Sequence, residues 1–366
     1  MERLDPWRFQ PTVLLPAEGP LVGNLRALGC DVVILPALLK LTTRRGLLYW
    51  ARYVLNYPRA VWKIARLIRR RGVDLVHTNT IHSLYGFAAA ALTRRPHVWH
   101  VREIVFQSRL ARALEVFLVK RGSARIVATS EAVAGMFGAG ARMRPGHLRK
   151  IPNGIDTERF HPRNDGGRVR RELGIAPEAP VVGLVCRLDH WKGVEDFLRA
   201  AAACRPAWPR ARFLVVGGAV EGREEYPARM HELARALGLE DSVRFTGWRY
   251  HPDDMPAVHA ALDILVLASS RPEAFGLVLL EAMATCKPVV ATGHGGPAEI
   301  CVDGETAILV PPRDPGRMAE AIGALLADPG RALAMGQAGR RRVEALYDQR
   351  RCVERLQDLY DELLAG

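Results

Sequence analysis

Short apolar runs alternate along this chain with longer stretches in which apolar and polar positions mix. Thr12–Leu15, Asp31–Leu35, Leu75–His77, Val98–Val101 and Arg125–Ala128 form one series of runs. Val181–Val185, Arg212–Val216, Val243–Phe245, Ile264–Leu267 and Pro288–Ala291 form a second. Runs this short and rich in β-branched residues predict strands, and the segments between them predict helices. Each series therefore reads as a parallel sheet with helices on both faces, an α/β class. The two series meet between Phe160 and Pro180, where His161-Pro162-Arg163-Asn164-Asp165-Gly166-Gly167 is linker-like. A chain of 366 residues has room for two such domains and two apolar cores.

One segment carries more chemical information than the rest. Glu273-Ala274-Phe275-Gly276-Leu277-Val278-Leu279-Leu280-Glu281 sets two carboxylates eight positions apart around a glycine, after the predicted strand Ile264–Leu267. Strand, loop and helix start is a place where phosphates are held, because the first helical turn offers free N–H groups and a positive dipole end. Phe275, Gly276 and Leu277 would supply those donors, with Gly276 allowing close approach of the backbone. Glu273 would face the ligand from the loop and Glu281 would lie roughly two turns deeper. Taken alone, the spacing is more often that of a buried helix with two unrelated surface acids. Its context decides.

That context is an ordered series: Ile151-Pro152-Asn153-Gly154-Ile155-Asp156, Arg187-Leu188-Asp189-His190-Trp191-Lys192-Gly193, Val215-Val216-Gly217-Gly218, Phe245-Thr246-Gly247, Ser269-Ser270-Arg271-Pro272-Glu273, Pro288-Val289-Val290-Ala291-Thr292, Gly295-Gly296-Pro297-Ala298-Glu299 and Asp303-Gly304. The series resembles the retaining glycosyltransferases of family 4, the group 1 transferases, over nearly the whole chain and most densely from Ile151 to Asp314. The resemblance implies a GT-B architecture, two Rossmann-like doubly wound domains facing a cleft. An acceptor-side domain would span 1–165 and a nucleotide-sugar-binding domain 166–346. A terminal helix within 347–366, Asp348 to Leu364, would cross back to complete the first.

The implied roles follow residue by residue. Arg187 and Lys192 match the family's Arg-x4-Lys pair that grips the donor diphosphate, the arginine as a planar fork and the lysine as a mobile point charge. Glu273 would touch the donor sugar's hydroxyls and place the anomeric carbon, and Glu281 would accept hydrogen bonds from the ribose. Ser269 would shape the loop, Gly217 and Gly218 would lie near the donor, and Gly247-Trp248-Arg249 would read the base, uracil or guanine. Glu299 is either a loop anchor or a sugar contact. On the acceptor side, His100 within Trp99-His100-Val101-Arg102-Glu103 would assist proton movement or bind a sugar hydroxyl, although a lone histidine after a strand is as often structural. His77-Thr78-Asn79 forms a weaker rim, and Asn153 and Gly154 would fix the interdomain turn. Diphosphate departure needs cations and backbone donors. No Asp-x-Asp stands in a donor context, so no metal and no resident cofactor are expected.

The sequence departs from the family's pattern in three places. Cys186 stands where a glycine usually precedes the arginine, and Cys286 where one usually precedes Lys-Pro, which loses an easy left-handed helix cap. Such folds also open with a strand, a Gly-Gly loop and a helix, about 20–30 residues in a unit of this kind. Here Arg3-Leu4-Asp5-Pro6 resembles that helix's close and Phe9–Pro16 the second strand, so this β-α unit is expected to be missing.

Charge adds a possible partner surface. Of the formal +13, residues through Phe160 contribute 26 basic against 10 acidic, and the remainder 26 against 29. The excess centres on 38–72, with ten basic residues, no acidic one, and interleaved Tyr49, Trp50, Tyr53, Tyr57 and Trp62. Such a stretch suits an anionic membrane surface or an anionic acceptor, or is simply a solvated face. No nucleic-acid module accompanies the charge, so nucleic acid is not an expected partner. Scattered cysteines at 30, 186, 204, 286, 301 and 352, no secretory signal and no spanning apolar run suit a cytoplasmic protein, peripheral on the membrane's inner face if the basic stretch engages it. The expected partners are thus a UDP- or GDP-sugar donor and a glycan, glycolipid or lipid-carrier-linked acceptor, in envelope or polysaccharide assembly. A sugar-nucleotide 2-epimerase and a non-catalytic nucleotide-binding partner subunit are the rival readings.

Overall fold

The computed structural model describes residues 2–39, 46–106, 109–138, 143–220, 222–249 and 254–365. The chain divides into two compact units, Met1–Pro152 with Arg350–Gly366, and Asn153–Gln349.

The first unit runs β1 (Thr12–Leu15), α1 (Pro20–Ala27), β2 (Asp31–Ile34), α2 (Leu47–Arg71), β3 (Val76–Thr78), α3 (Tyr85–Thr93), β4 (His97–Val101), α4 (Arg109–Gly122), β5 (Arg125–Ala128), α5 (Glu131–Gly138) and β6 (Leu148–Lys150). Instead of one sheet, it holds a parallel pair, β1-β2, and a separate four-stranded parallel sheet, β3-β4-β5-β6. Leu14 of β1 and Val76 of β3 both pack onto the apolar cluster beneath α2, so side-chain packing joins the two sheets there. Within α2, Tyr53, Ala60, Val61, Ile64, Ala65 and Ile68 are buried at spacings of one helical face. The helix ends at Gly72, whose φ of 61° lets its N–H turn back to Arg69 and Ile68.

The second unit runs α6 (Gly167–Glu172), β7 (Val181–Val185), α7 (Val194–Cys204), β8 (Arg212–Val216), α8 (Glu225–Ala236), β9 (Val243–Phe245), α9 (Asp254–Ala261), β10 (Ile264–Leu267), α10 (Leu277–Ala284), β11 (Val289–Thr292), α11 (Pro297–Ile300), β12 (Ile308–Val310), α12 (Pro315–Ala327) and α13 (Pro329–Leu346). Its six strands pair in parallel in the order β12-β11-β10-β7-β8-β9. Successive strand residues feed opposite cores: Leu214, Val216, Leu265 and Leu267 face one cluster, while Phe213, Val215, Ile264 and Val266 face the other. Helices cover both faces, as a parallel sheet requires, and each fully buried side chain of this kind is worth roughly 1.5–3 kcal/mol.

The unit boundary lies at Pro152–Asn153, ahead of the linker-like 161–167 stretch. Ahead of that stretch Ile155 bridges to Asp348, and within it Gly166 lies so close to the Ala260–Ala261 backbone that a Cβ would collide with it. The chain then returns through α14 (Gln349–Leu364), whose Leu356, Leu359, Tyr360 and Leu363 pack with Val98, Val127 and Ile151 of the first unit. Asp5 N–H donates to Gln357 Oε1 at 2.7 Å on the same helix. Among the described residues, no helix is long and apolar enough to cross a membrane.

Candidate active site

In an open parallel sheet, ligands collect at the carboxyl ends of the strands where the strand order reverses. In the second unit that point lies between β7 and β10, hydrogen-bonded neighbours that belong to opposite halves of the sheet. The loop after β7 carries Arg187 and Lys192, and the loop after β10 carries Ser269 and Glu273. Two residues distant in sequence thus meet: Lys192 Nζ lies 2.7 Å from Glu273 Oε1, with both side chains nine-tenths or nearly so enclosed. Ser269 Oγ donates to the same carboxylate oxygen. Ser270 N–H donates to Trp191 O at 2.8 Å, tying the two loops, and the Lys192 ammonium sits 4.2 Å from the Trp191 ring centroid. Arg187 is exposed and makes no ion pair among the described residues.

Glycines bring these loops into register. Gly193 and Gly217 have φ of 72° and 131°, and a Cβ on either would strike a carbonyl oxygen, Ala268 O or Cys186 O. A Cβ on Gly218 would strike the Trp248 indole, whose Nε1–H donates to Ala219 O at 3.2 Å. Gly276, at φ 112°, starts α10 at Leu277, after the buried Phe275. The first turn of α10 therefore opens beside Glu273, at the end of the segment that includes Ala274. Gly247 N-terminal to Trp248 is joined to this edge by its carbonyl, which accepts from Gly217 N–H at 3.1 Å.

Glu281 lies on α10, its side chain 20% exposed, with Oε2 2.8 Å from His259 Nε2. Arg249 makes paired contacts to Glu172, at 3.0 and 2.9 Å. Burial pushes the Cys186 thiol up to about 12, so it stays protonated beside this cluster.

In the first unit, His77 and His100 end up side by side, ring centroids 5.4 Å apart, because β3 and β4 are paired neighbours. His77 Nδ1 lies 2.7 Å from the Tyr360 hydroxyl of α14. His100 is buried, and neither ring nitrogen has a hydrogen-bond partner among the described residues. Burial first, then the charges of Arg102 and His77, lowers its pKa well below the ordinary value, so the ring is neutral near pH 7. His77 falls to about 3 for the same leading reason, against an opposing hydrogen bond from Asn79. Both Asn79 and Arg102 are exposed at the strand ends. No group of three or more His, Cys, Asp or Glu side chains converges in metal-binding fashion among the described residues.

Comparison with known proteins gives these arrangements a lineage. The model of "Glycosyl transferases group 1" matches residues 167–342, and that of "Glycosyltransferase Family 4" matches residues 7–159. The chain belongs to the family 4, group 1 glycosyltransferases. Its fold is GT-B. HepE from Anabaena, solved in complex with UDP-glucose, is 28% identical with a TM-score of 0.83, over 98% of this chain and 93% of that one. D-inositol 3-phosphate glycosyltransferase of Corynebacterium urealyticum is 36% identical over 58% of this chain and 50% of its own length. The GDP-mannose-dependent alpha-(1-6)-phosphatidylinositol monomannoside mannosyltransferase of Mycolicibacterium smegmatis is 37% identical over 53% of this chain and 50% of its own length. The chain spans about half the length of these curated relatives.

Several contacts that shape this candidate site were not legible in the sequence, although Thr292, Gly295, Gly296 and Glu299 stood in the motif series. Gly295 and Gly296 clamp the Glu273 loop: Gly296 N–H donates to Glu273 O at 2.8 Å, and a Cβ on either glycine would strike the backbone of 272–275. Thr292 Oγ1 donates to Ser269 O at 3.0 Å, and His294 Nε2 lies 2.8 Å from the same oxygen. Glu299 lies on α11, and its carbonyl accepts from Arg342 at 3.1 Å. His259 has no sequence signal, since nothing in the chain marks a lone histidine on a mainly apolar helix.

Proposed function

We propose that this chain is a retaining, metal-independent glycosyltransferase of the hexosyltransferase type. It transfers a sugar from a UDP- or GDP-sugar to a glycan, glycolipid or lipid-carrier-linked acceptor in cell-envelope or polysaccharide assembly. The observation that carries this reading is the Lys192–Glu273 contact at the reversal point of the second sheet, with Arg187, which makes no ion pair among the described residues, on the same loop as Lys192. A sugar-nucleotide donor placed there brings its diphosphate to the two cations and the first turn of α10. Arg187 grips the oxygens as a fork, and Lys192 exchanges part of its contact with Glu273 for the phosphate as charge grows on the leaving group. Glu273, held by Ser269, is then free to accept from the donor sugar's hydroxyls and fix the anomeric carbon. His100, neutral and with no hydrogen-bond partner among the described residues, is able to accept a hydrogen bond or proton from a sugar hydroxyl. Relatives that bind UDP-glucose or depend on GDP-mannose support a nucleotide-sugar donor of either base.

The same reading includes peripheral attachment to the cytoplasmic membrane surface. Leu48, Arg52, Leu55, Arg59, Trp62 and Arg66 recur at three- and four-residue spacing and are all exposed, giving α2 an outward stripe of alternating apolar and basic side chains. The part of the basic stretch at 40–45 lies outside the described residues. Leu110, Leu114 and Phe117 form an exposed apolar stripe on α4.

Thermal unfolding with UDP, GDP, ADP and their common sugar conjugates, without metal, tests the donor site. Stabilisation by a uridine or guanosine compound, abolished in Arg187→Ala and Lys192→Ala, is the expected result. Stabilisation that survives both substitutions places the donor elsewhere and overturns the assignment.

A further inference from the structure

The second unit buries one histidine directly behind the two-glutamate segment. His259, on α9, is 0% exposed, and its Nε2 lies 2.8 Å from Glu281 Oε2 on α10. The ring meets Phe160 edge-on at 5.9 Å, and its helix neighbours Ala257, Val258 and Ala261 belong to the same apolar core cluster as Phe160. Nδ1 is buried with no hydrogen-bond partner among the described residues. This arrangement selects one tautomer. A proton on Nδ1 would bury a donor with no acceptor, whereas a bare Nδ1 leaves only an unfilled lone pair, so the ring carries its hydrogen on Nε2 and donates to the carboxylate.

A hydrogen bond of this kind fixes more than one atom. With Oε2 held from the core side, the Glu281 carboxylate loses rotation about its last bond. Oε1 has no protein partner among the described residues, and the side chain remains 20% exposed. Packing alone gives no reason for a histidine here, since a leucine would fill the space without an orphaned nitrogen.

We propose that His259 is a positioning residue that holds the Glu281 carboxylate by Oε2 and presents Oε1 to the ribose hydroxyls of the donor nucleotide. The assignment rests on the donor-site reading above and deepens it: His259 sets discrimination for ribose and leaves the diphosphate grip to Arg187 and Lys192.

Calorimetric titration of the full chain separates these roles, using UDP and GDP, their 2′-deoxy and 3′-deoxy analogues, and inorganic pyrophosphate. The wild type prefers the ribonucleotide over at least one deoxy analogue by about tenfold or more, the scale of a hydrogen bond to a charged group. His259→Leu narrows that preference to about twofold and weakens the ribonucleotide by about tenfold. Pyrophosphate affinity is unchanged, and His259→Gln, whose amide reaches the same place, recovers most of the preference. Should His259→Leu fail to fold, His259→Asn, too short to reach Glu281, takes its place against His259→Gln. An unchanged ribose preference in a folded His259→Leu or His259→Asn protein overturns the role of His259 alone. So does an equal loss of pyrophosphate binding. Nucleotide binding by the wild type that is indifferent to Arg187→Ala overturns the donor-site reading, and this assignment with it.

Discussion

Lys192 and Glu273 stand 81 positions apart in the chain and 2.7 Å apart in space, joined because β7 and β10 are neighbours in the sheet. Their loops end adjacent strands from opposite halves of the second unit's sheet, so neither residue reaches the site without the other half of that sheet folding. Enclosed as it is, the pair is poised for exchange. Its carboxylate keeps a second donor in Ser269, and its ammonium keeps the Trp191 face, whenever they separate.

That exchange predicts a split between binding and turnover for Glu273→Gln. The substitution keeps the shape and removes the charge that competes with phosphate for Lys192. UDP or GDP affinity should be unchanged or tightened, while kcat falls about 100-fold or more, as expected when an interaction needed in the transition state is lost. Lys192→Gln should do the reverse to affinity, weakening the nucleoside diphosphate by about tenfold or more. Steady-state kinetics with calorimetric binding of the product nucleotide checks both. Equal loss of affinity in the two variants would show that the pair acts as one structural unit.

The legible part of this molecule was what adjacency in sequence encodes. The strand runs, the terminal helix and the order of glycine-bearing loops follow from local pattern, and the central strands β7, β8 and β10 lie where their apolar runs place them. The strands β6 and β12 were not anticipated, although the equally short β3 and β9 were. The split of the first sheet was also hidden, since pairing is a property of edges that a strand's own residues do not record. In the candidate site, Arg187, Lys192, Glu273 and Glu281 stood out by spacing. His259, His294 and Thr292 did not, because each acts through a contact more than 20 residues away. Arg249 was named with Gly247 and Trp248 at the expected base edge, while its contact with Glu172, on α6, was not legible.

Cys286 makes a backbone prediction. Its N–H bonds to Met283 O at 3.0 Å and the Lys287 N–H to Ala282 O at 2.9 Å, the paired pattern that closes a helix around a left-handed residue. Cys286 meets this demand with φ of 55°, a conformation that costs an L-residue roughly 1–2 kcal/mol relative to glycine. Part of the gain from glycine is offset by the freer unfolded chain. Cys286→Gly should therefore stabilise the protein by about 0.5–1 kcal/mol in urea unfolding. A destabilised variant would show that the thiol's packing outweighs the strain.

Acid should destabilise the first unit through His97. This ring is buried, with Nδ1 2.9 Å from Gly122 O and Nε2 2.8 Å from Thr78 Oγ1, and burial lowers its pKa to about 4. Above pH 6.5 it is neutral whether folded or unfolded and contributes no pH dependence. Between 6.5 and 4 the unfolded chain takes up a proton that the folded chain refuses, so stability falls as pH drops. By linkage the loss at pH 5.0 relative to pH 7.5 is on the order of 2 kcal/mol from this ring. His77, lowered to about 3, adds to the same window. Urea unfolding at the two pH values should show a smaller difference for His97→Gln than for the wild type. Identical differences would mean that the ring's burial is relieved in solution.

The outward stripe of α2 predicts a surface rather than a soluble partner. Its cations are exposed, the segment 47–71 contains no acidic residue, and the Arg66 guanidinium lies 5.4 Å from the Trp62 ring centroid, so the apolar and basic side chains form one continuous face. Near an anionic bilayer each such cation contributes about 1 kcal/mol, within a Debye length, while Leu48, Leu55 and Trp62 add apolar contact. The protein should therefore co-sediment with vesicles containing phosphatidylglycerol and remain free of pure phosphatidylcholine vesicles, with binding falling as salt rises. Replacing Arg59, Lys63 and Arg66 by glutamate should abolish sedimentation and leave nucleotide-induced stabilisation intact, because these residues lie in the first unit and the donor residues in the second. Leu55→Ser with Trp62→Ser should weaken binding without changing its salt dependence. Binding that persists after the charge reversal, but is lost when Leu110, Leu114 and Phe117 of α4 are made polar, would move the contact from α2 to α4. Equal binding to both kinds of vesicle would remove the electrostatic basis of the attachment.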